Sequence, residues 1–251
     1  MKKYIIGIIL LCFALTACYD LNLSPLDASS DNNFWETESQ LRGATYVCYS
    51  IMQKDMLNFG EGCGESAMWG DPKNALNKIS SGVYPYTIQF PVSSWWNYFY
   101  QNIFYCNKFL ENYKKANISE SVKEKYAAEI KVIRALDYFY LTSLYGDVPL
   151  VTRVLSPEDP EMTAPRTPKQ EVIDYILNDL DQAAAKLGED IPTGENSGRG
   201  NKWTALGLKS RIALFNERWE IAYQAAESVM KSGKYELYNE GGHSEAYYNL
   251  F

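Results

Sequence analysis

The residues that carry most enzyme chemistry are scarce in this 251-residue sequence, which has one histidine, His243, and five cysteines. A single histidine excludes an HExxH zinc motif and leaves a serine or cysteine triad without an obvious base. No GxSxG elbow or Walker sequence is present. The glycine-rich run GEGCGES at 60–66 lacks the lysine a phosphate-binding loop needs and reads as a flexible turn. Cysteines 12, 18, 48, 63 and 106 show no CxxC spacing, so a structural zinc site is not expected. Basic residues are also in deficit, with 24 Lys and Arg against 31 Asp and Glu and a formal net charge of −7. That sign opposes phosphate contacts to nucleic acid and electrostatic attachment to an anionic membrane. These absences point to a protein that binds rather than catalyses and needs no cofactor. Paired carboxylates for glycoside hydrolysis stay open, because their separation is a property of the fold.

What is present begins at the N-terminus. Lys2 and Lys3 precede an apolar run from Tyr4 to Leu15, and Leu15, Thr16 and Ala17 lead into Cys18. The run is shorter than the roughly 20 residues needed to span a bilayer and has the form of an export signal. Leu-Thr-Ala-Cys resembles the bacterial lipobox, which predicts removal of residues 1–17 and diacylation of Cys18. Loss of two lysines takes the charge from −7 to −9, so attachment to a membrane is through lipid. Cys48, Cys63 and Cys106 then permit one disulfide at most. Cys48 and Cys106 lie in apolar helical patterns, where a cysteine is usually a small core residue.

The remaining 234 residues suffice for one substantial domain or two small ones. Residues 18–33 are polar and read as a tether. A helix follows: Thr37 and Gln40 have capping-box spacing, and Leu41, Ala44, Cys48 and Met52 form an apolar face. From Asn58 to Ser94 five glycines and three prolines break any helical period, which predicts a long loop region of the kind that is often functional. A second helix is expected from Trp95 to Tyr113, with Trp96, Phe99, Ile103, Cys106, Leu110 and Tyr113 on its buried stripe. Ser121 with Glu124 predicts a capped helix to Tyr145, its inner stripe Ile130, Ile133, Leu136, Tyr140 and Leu144, stopped by Gly146. Thr167, Pro168 and Gln170 predict the start of another, ending near Leu187. The last pair spans Lys202 to Asn216 and Trp219 to Lys231, with Gly233 as C-cap. Trp203, Leu206 and Gly207, with Ala222 to Ala226, resemble a tetratricopeptide unit, although no clean 34-residue period exists. The fold class is therefore all-α, built of tetratricopeptide-like helical pairs with long irregular loops.

Aromatic residues make up 14% of the chain, including 20 Tyr and 6 Trp, so some rings are expected on a surface. Sugar recognition needs flat apolar faces flanked by hydrogen-bonding groups. The 58–97 stretch offers Trp69, Tyr84, Tyr86 and Trp95 as rings, with Asp71, Lys73, Asn74 and Asn97 as polar partners. Each ring has core packing or loop anchoring as its alternative role, and Trp96 is the weaker candidate because it falls on the core stripe. Trp35, Trp203 and Trp219 fit helix packing. Arg134 and Asp137 can pair one turn apart or across helices. Asp147 organises the turn after Gly146, or serves as a calcium ligand if a second carboxylate clusters with it.

The run AAEIKVIRALDYFYLTSLYGDVPLVT, Ala127 to Thr152, resembles the signature of the SusD/RagB family. Phe34-Trp35, the pattern Trp96, Tyr100, Ile103, Asn107, and the segments 171–187, 198–214 and 232–237 accompany it in family order. The resemblance implies an outer-membrane lipoprotein facing the cell exterior, on a tetratricopeptide-like scaffold. Its expected role is to pass nutrient glycans such as starch-like oligosaccharides to a SusC-like TonB-dependent transporter, with no nucleic acid as partner. Family members run to about twice this length, so the helical domain at 34–251 is expected to be incomplete at its C-terminus. Peptides or other non-sugar nutrients, and a helical scaffold for a partner protein, remain open alternatives.

Overall fold

The structure is a computed structural model that describes residues 34–52, 63, 68–83, 92–239, 241, 242 and 245. The expected leader, tether and Cys18 lie outside the described residues, as do Tyr84, Tyr86 and His243. The chain divides after Trp35. In the first part only Phe34 and Trp35 are described, their rings edge-on at 5.0 Å.

From Glu36 onward every described regular segment is helical, and the single β feature is an isolated antiparallel bridge between Val148 and Thr167. The all-α expectation holds. Helix α1 (Glu38–Ile51) starts at the predicted capping box: Thr37 Oγ1 accepts from Gln40 N at 3.3 Å, and Gln40 Oε1 accepts from Thr37 N at 2.9 Å. Its buried residues are Leu41, Thr45 and Cys48. Thr45 replaces the expected Ala44 because its hydroxyl is satisfied in place, donating to Arg42 O at 2.8 Å.

Helix α2 (Ala75–Ser80) falls inside the segment read as loop, N-capped by Asn74, whose Oδ1 accepts from Leu76 N at 2.8 Å. Six residues show no full apolar period, although Leu76 and Ile79 pack on the core. Helix α3 (Val92–Asn112) begins three residues before the expected Trp95. Its phase also differs, because Trp95, Phe99, Ile103, Cys106 and Phe109 are buried while Trp96 is only half-buried. The helix packs against both α1 and helix α4 (Glu120–Tyr145), so its buried arc is wider than one stripe.

Helix α4 is the hub, packing against α1, α3, α5 (Lys169–Lys186) and α6 (Lys202–Phe215). Fourteen of its residues are buried, on all sides, so no single stripe describes it, and Leu144 of the expected stripe is exposed. Its N-cap is Ser119 rather than Ser121, and Glu124 instead accepts from Tyr113 Oη at 2.9 Å. Gly146 stops it as expected, at φ +71° and ψ −121°, which a side chain would resist.

Residues 148–154 then run extended, and side chains hold them where a sheet would use a neighbouring strand. Tyr100 Oη donates to Pro149 O, and Tyr138 Oη both donates to Val151 O and accepts from Val151 N, each at 2.8 Å. Asn107 Nδ2 donates to Val151 O and Arg153 O at 3.0 and 3.2 Å, and Val154 N donates to Glu111 Oε1 at 2.7 Å. Asn107 is in turn held by Arg134 Nη1 at 2.7 Å. Arg134 pairs across helices with Asp179 at 2.6 Å, both side chains 5% exposed. Asp137, the partner considered from sequence, accepts from Asn102 instead, at 2.9 Å. Thr167 does not cap α5; it is engaged in the bridge to Val148, and Asp147 Oδ1 accepts from Lys169 N at 2.8 Å in its place.

Helix α6 opens on an Asn201–Thr204 capping box, and the tight turn 216–218 joins it to α7 (Trp219–Lys231). Trp203 is buried and donates to Glu189 O at 2.7 Å. Trp219 departs from the packing expected of it: it is 62% exposed, with Leu214, Phe215, Tyr223 and Met230 exposed nearby in sequence. No described helix is long and apolar enough to cross a membrane.

Candidate functional site

Three of the proposed residues share one exposed turn. Trp69 is 40% exposed, with its backbone oxygen accepting from Asn77 Nδ2. Asp71 follows, its Oδ1 accepting from Lys73 N at 2.9 Å and its backbone oxygen from Asn74 N at 3.0 Å. These bonds, with the Asn74 cap, fix the 71–74 turn while leaving the Asp71 and Lys73 side chains exposed. Asn74, considered as a ligand contact, spends its side-chain oxygen on the cap. The turn thus carries an indole, a carboxylate and an ammonium group toward solvent, the set that stacks on a pyranose and bonds its hydroxyls.

On α3 the picture differs. Trp95 is 5% exposed and belongs to the main core, so its ring has no free face for a ligand. Trp96 takes the position nearer the surface. Its ring meets Tyr100 at 4.9 Å and Tyr145 edge-on at 5.1 Å, and the Arg166 guanidinium lies 5.3 Å from its centroid. Asn97 is exposed. The described contacts do not join Trp96 and Asn97 to the Trp69 turn, and the residues between them in sequence include Tyr84 and Tyr86, outside the described set.

Sequence reasoning missed Arg166, which also donates to Tyr145 O and Asp147 O at 3.2 and 3.1 Å; it lies 70 residues from Trp96, and only the fold joins them. It also missed a cavity of about 380 Å³ beside the extended segment, lined by Leu150, Val151, Arg153, Glu161 and Pro165 among others. Arg153 at its edge pairs with Asp159 at 3.0 Å and Glu161 at 2.6 Å. The Arg153 hydrogen bond and the Ser156 N–H hold the Asp159 carboxyl down to about 2. No group of three or more potential metal ligands occurs among the described residues, and Asp147, considered from sequence as a calcium ligand, has its Oδ1 engaged by Lys169 N.

Residues 26–214 match the family of SusD-like proteins described as starch-binding and associating with the outer membrane. The chain belongs to this SusD-like family. A SusD-like protein of Formosa agariphila is 25% identical over 250 residues, covering 93% of this chain and 47% of its own. A SusD-like protein of Bacteroides ovatus is 25% identical, with 94% and 46% covered. Among solved structures, a SusD-like protein from Bacteroides fragilis superposes with a TM-score of 0.75 at 29% identity, over 86% of this chain and 42% of that one. A laminarin-binding SusD-like protein gives 0.67 at 25% identity, over 78% and 44%. The chain spans about half the length of the relatives it matches. Seen through the fold, the SusD-like signature is a mechanical part: Arg134 and Tyr138 on α4, with Asn107 on α3, hold the extended backbone that its Val-Pro-Leu-Val residues form.

Proposed function

We propose that this chain is a cell-surface lipoprotein, anchored through Cys18, that binds nutrient glycans and delivers them to a SusC-like TonB-dependent transporter in the outer membrane. The observation that carries the binding reading is the exposed Trp69, followed in the chain by the exposed Asp71 and Lys73 on a turn fixed by its own hydrogen bonds. Family membership and a laminarin-binding neighbour of similar fold support a carbohydrate as cargo. Trp96 and Asn97 on α3 are further candidate contacts, as are Tyr84 and Tyr86, which lie outside the described residues, whereas the ring of Trp95 is in the core. The role is non-catalytic: ring stacking and hydrogen bonds hold the ligand, and no bond in it is broken.

Calorimetric titration with α- and β-glucan oligosaccharides tests the reading, with Trp69→Ala beside the wild type. Losing a stacked ring is worth about 1.4 kcal/mol or more, a tenfold weakening. A folded chain that binds no glycan, or binds one unchanged in Trp69→Ala, overturns it. Labelled palmitate that is incorporated by the wild type and not by Cys18→Ala supports the anchor, and equal absence from both refutes it.

A further inference from the structure

The extended segment after α4 is fully paired along one edge only. Its inner edge is filled by α3 and α4, whose Tyr100, Asn107 and Tyr138 side chains bond Pro149 O, Val151 N, Val151 O and Arg153 O. Backbone groups alternate sides along an extended chain, so the even-numbered residues face the other way. There Val148 exchanges two hydrogen bonds with Thr167, at 3.2 and 3.0 Å, and Leu150 N donates to Thr167 Oγ1 at 3.3 Å. The ladder then stops. Continued in that register it would set Pro165 opposite Leu150 and Thr163 opposite Thr152, but Pro165 has no N–H and Thr163 belongs to the short 3-10 turn Pro160–Thr163. Leu150 O, Thr152 N and Thr152 O consequently have no hydrogen-bond partner among the described residues, and the cavity of about 380 Å³ opens between the parted arms.

We infer that this open edge is a docking slot for an extended segment of a partner protein, which adds as a short strand beside Leu150 and Thr152 and places a basic side chain at the 155–165 loop. Main-chain pairing satisfies all three open groups at once, as it does where exposed sheet edges take peptide strands. The volume lies within the range of ligand pockets, and Leu150, Leu155 and Pro165 supply apolar wall for an alternate side chain. Charge sets the rest. Residues 155–165 contain Glu158, Asp159 and Glu161 and no basic residue, and Arg153 meets Asp159 and Glu161 as one cation against two carboxylates. Arg166 beyond them is committed to Tyr145 O and Asp147 O. A sugar fits the slot poorly, because no aromatic ring lines it for stacking. The slot therefore differs in chemistry from the Trp69 turn and does not depend on the glycan reading.

Fluorescence polarisation on the full 251-residue chain tests this with a labelled Val-Lys-Val-Lys-Val probe, its ends blocked as acetyl and amide to mimic an internal segment. Saturable binding is expected. Glutamates in place of the lysines, or N-methylation of alternate probe amides in one of the two phases, should weaken it about tenfold or more. Thr152→Pro, which removes the edge N–H, should do the same, while Thr152→Val keeps the backbone and should stay within about twofold of the wild type. Hydrogen exchange gives a reading that needs no variant: in the free chain the Thr152 amide should exchange fast and the Val151 amide, bonded to Tyr138 Oη, slowly, and the probe should protect Thr152. No binding of the blocked probe, a Thr152 amide already protected in the free chain, or unchanged binding by a folded Thr152→Pro overturns the proposal. Binding only by a probe with free ends marks a nutrient peptide as the occupant and also overturns it. Trp69→Ala should bind the probe as the wild type does, and a loss there would move the probe to the glycan turn and sink the slot.

Discussion

Removing the Asp179 carboxylate isolates the charge of Arg134, whose side chain is 5% exposed. Breaking a buried ion pair on one side costs about 3–5 kcal/mol, since the remaining ion stays desolvated and uncompensated. Arg134 keeps Asn107 Oδ1 at 2.7 Å and lies 5.3 Å from the Tyr175 ring centroid, so Asp179→Ala belongs near 3 kcal/mol, the lower end of that range. For a domain of this size that is a fall in melting temperature of about 6–12 °C. The double variant Arg134→Met/Asp179→Leu removes both charges but leaves the Asn107 oxygen without its donor, a loss of about 1–3 kcal/mol. It should therefore be no worse than the single variant and recover part of its loss. Urea denaturation followed by circular dichroism, with unchanged slope, measures both. A loss below about 1 kcal/mol in Asp179→Ala, or a double variant clearly worse than the single, refutes the uncompensated charge as the cause.

Asp137 gives a pH-dependent counterpart: burial raises its carboxyl well above the usual range against the opposing Asn102 hydrogen bond. The folded state therefore holds the proton more tightly than the unfolded state, and this contribution to stability is lost as pH rises from the ordinary carboxylate range through the raised folded value. Asp137→Asn should gain on the wild type in urea titrations as pH rises above the ordinary carboxylate range; a constant difference between pH 4 and pH 8 refutes it. Trp95→Ala should cost about 3–5 kcal/mol by thermal melting, whereas Trp69→Ala should leave the melting curve nearly unchanged and lower glycan affinity alone. Gly146→Ala should cost about 1–3 kcal/mol, because its backbone sits where side chains are strained; a neutral result would mean the turn relaxes.

Much of the helical layout was legible because its signals are local. The Thr37–Gln40 box, the Gly146 stop and the α6–α7 pair each depend on residues a few positions apart. What escaped depends on partners distant in sequence. The phase of α3 was misread because two neighbours bury it, bringing Trp95 inward and leaving Trp96 half-exposed. Asp179 lies 45 residues from Arg134 on another helix, and no spacing rule connects them. Ser121 and Glu124 satisfied a capping pattern, but Tyr113 reaches Glu124 from another element. For the candidate site, composition identified the Trp69 turn as a polar and aromatic stretch, and only burial separated its exposed indole from the core ring of Trp95.

The extended segment at 148–154 has its main-chain bonds filled by Tyr100, Asn107, Tyr138 and Glu111, and the next fixed point is the Val148–Thr167 bridge that leads into α5. Between Val154 and Arg166 the chain is anchored at both ends by contacts that do not depend on its length. Added residues there would cost only the slowly growing entropy of a longer loop, which makes 155–165, apart from its short 3-10 turn at Pro160–Thr163, the natural insertion point of this scaffold, where extra sequence can accumulate beside the cavity without shifting any of the helices α1 to α7.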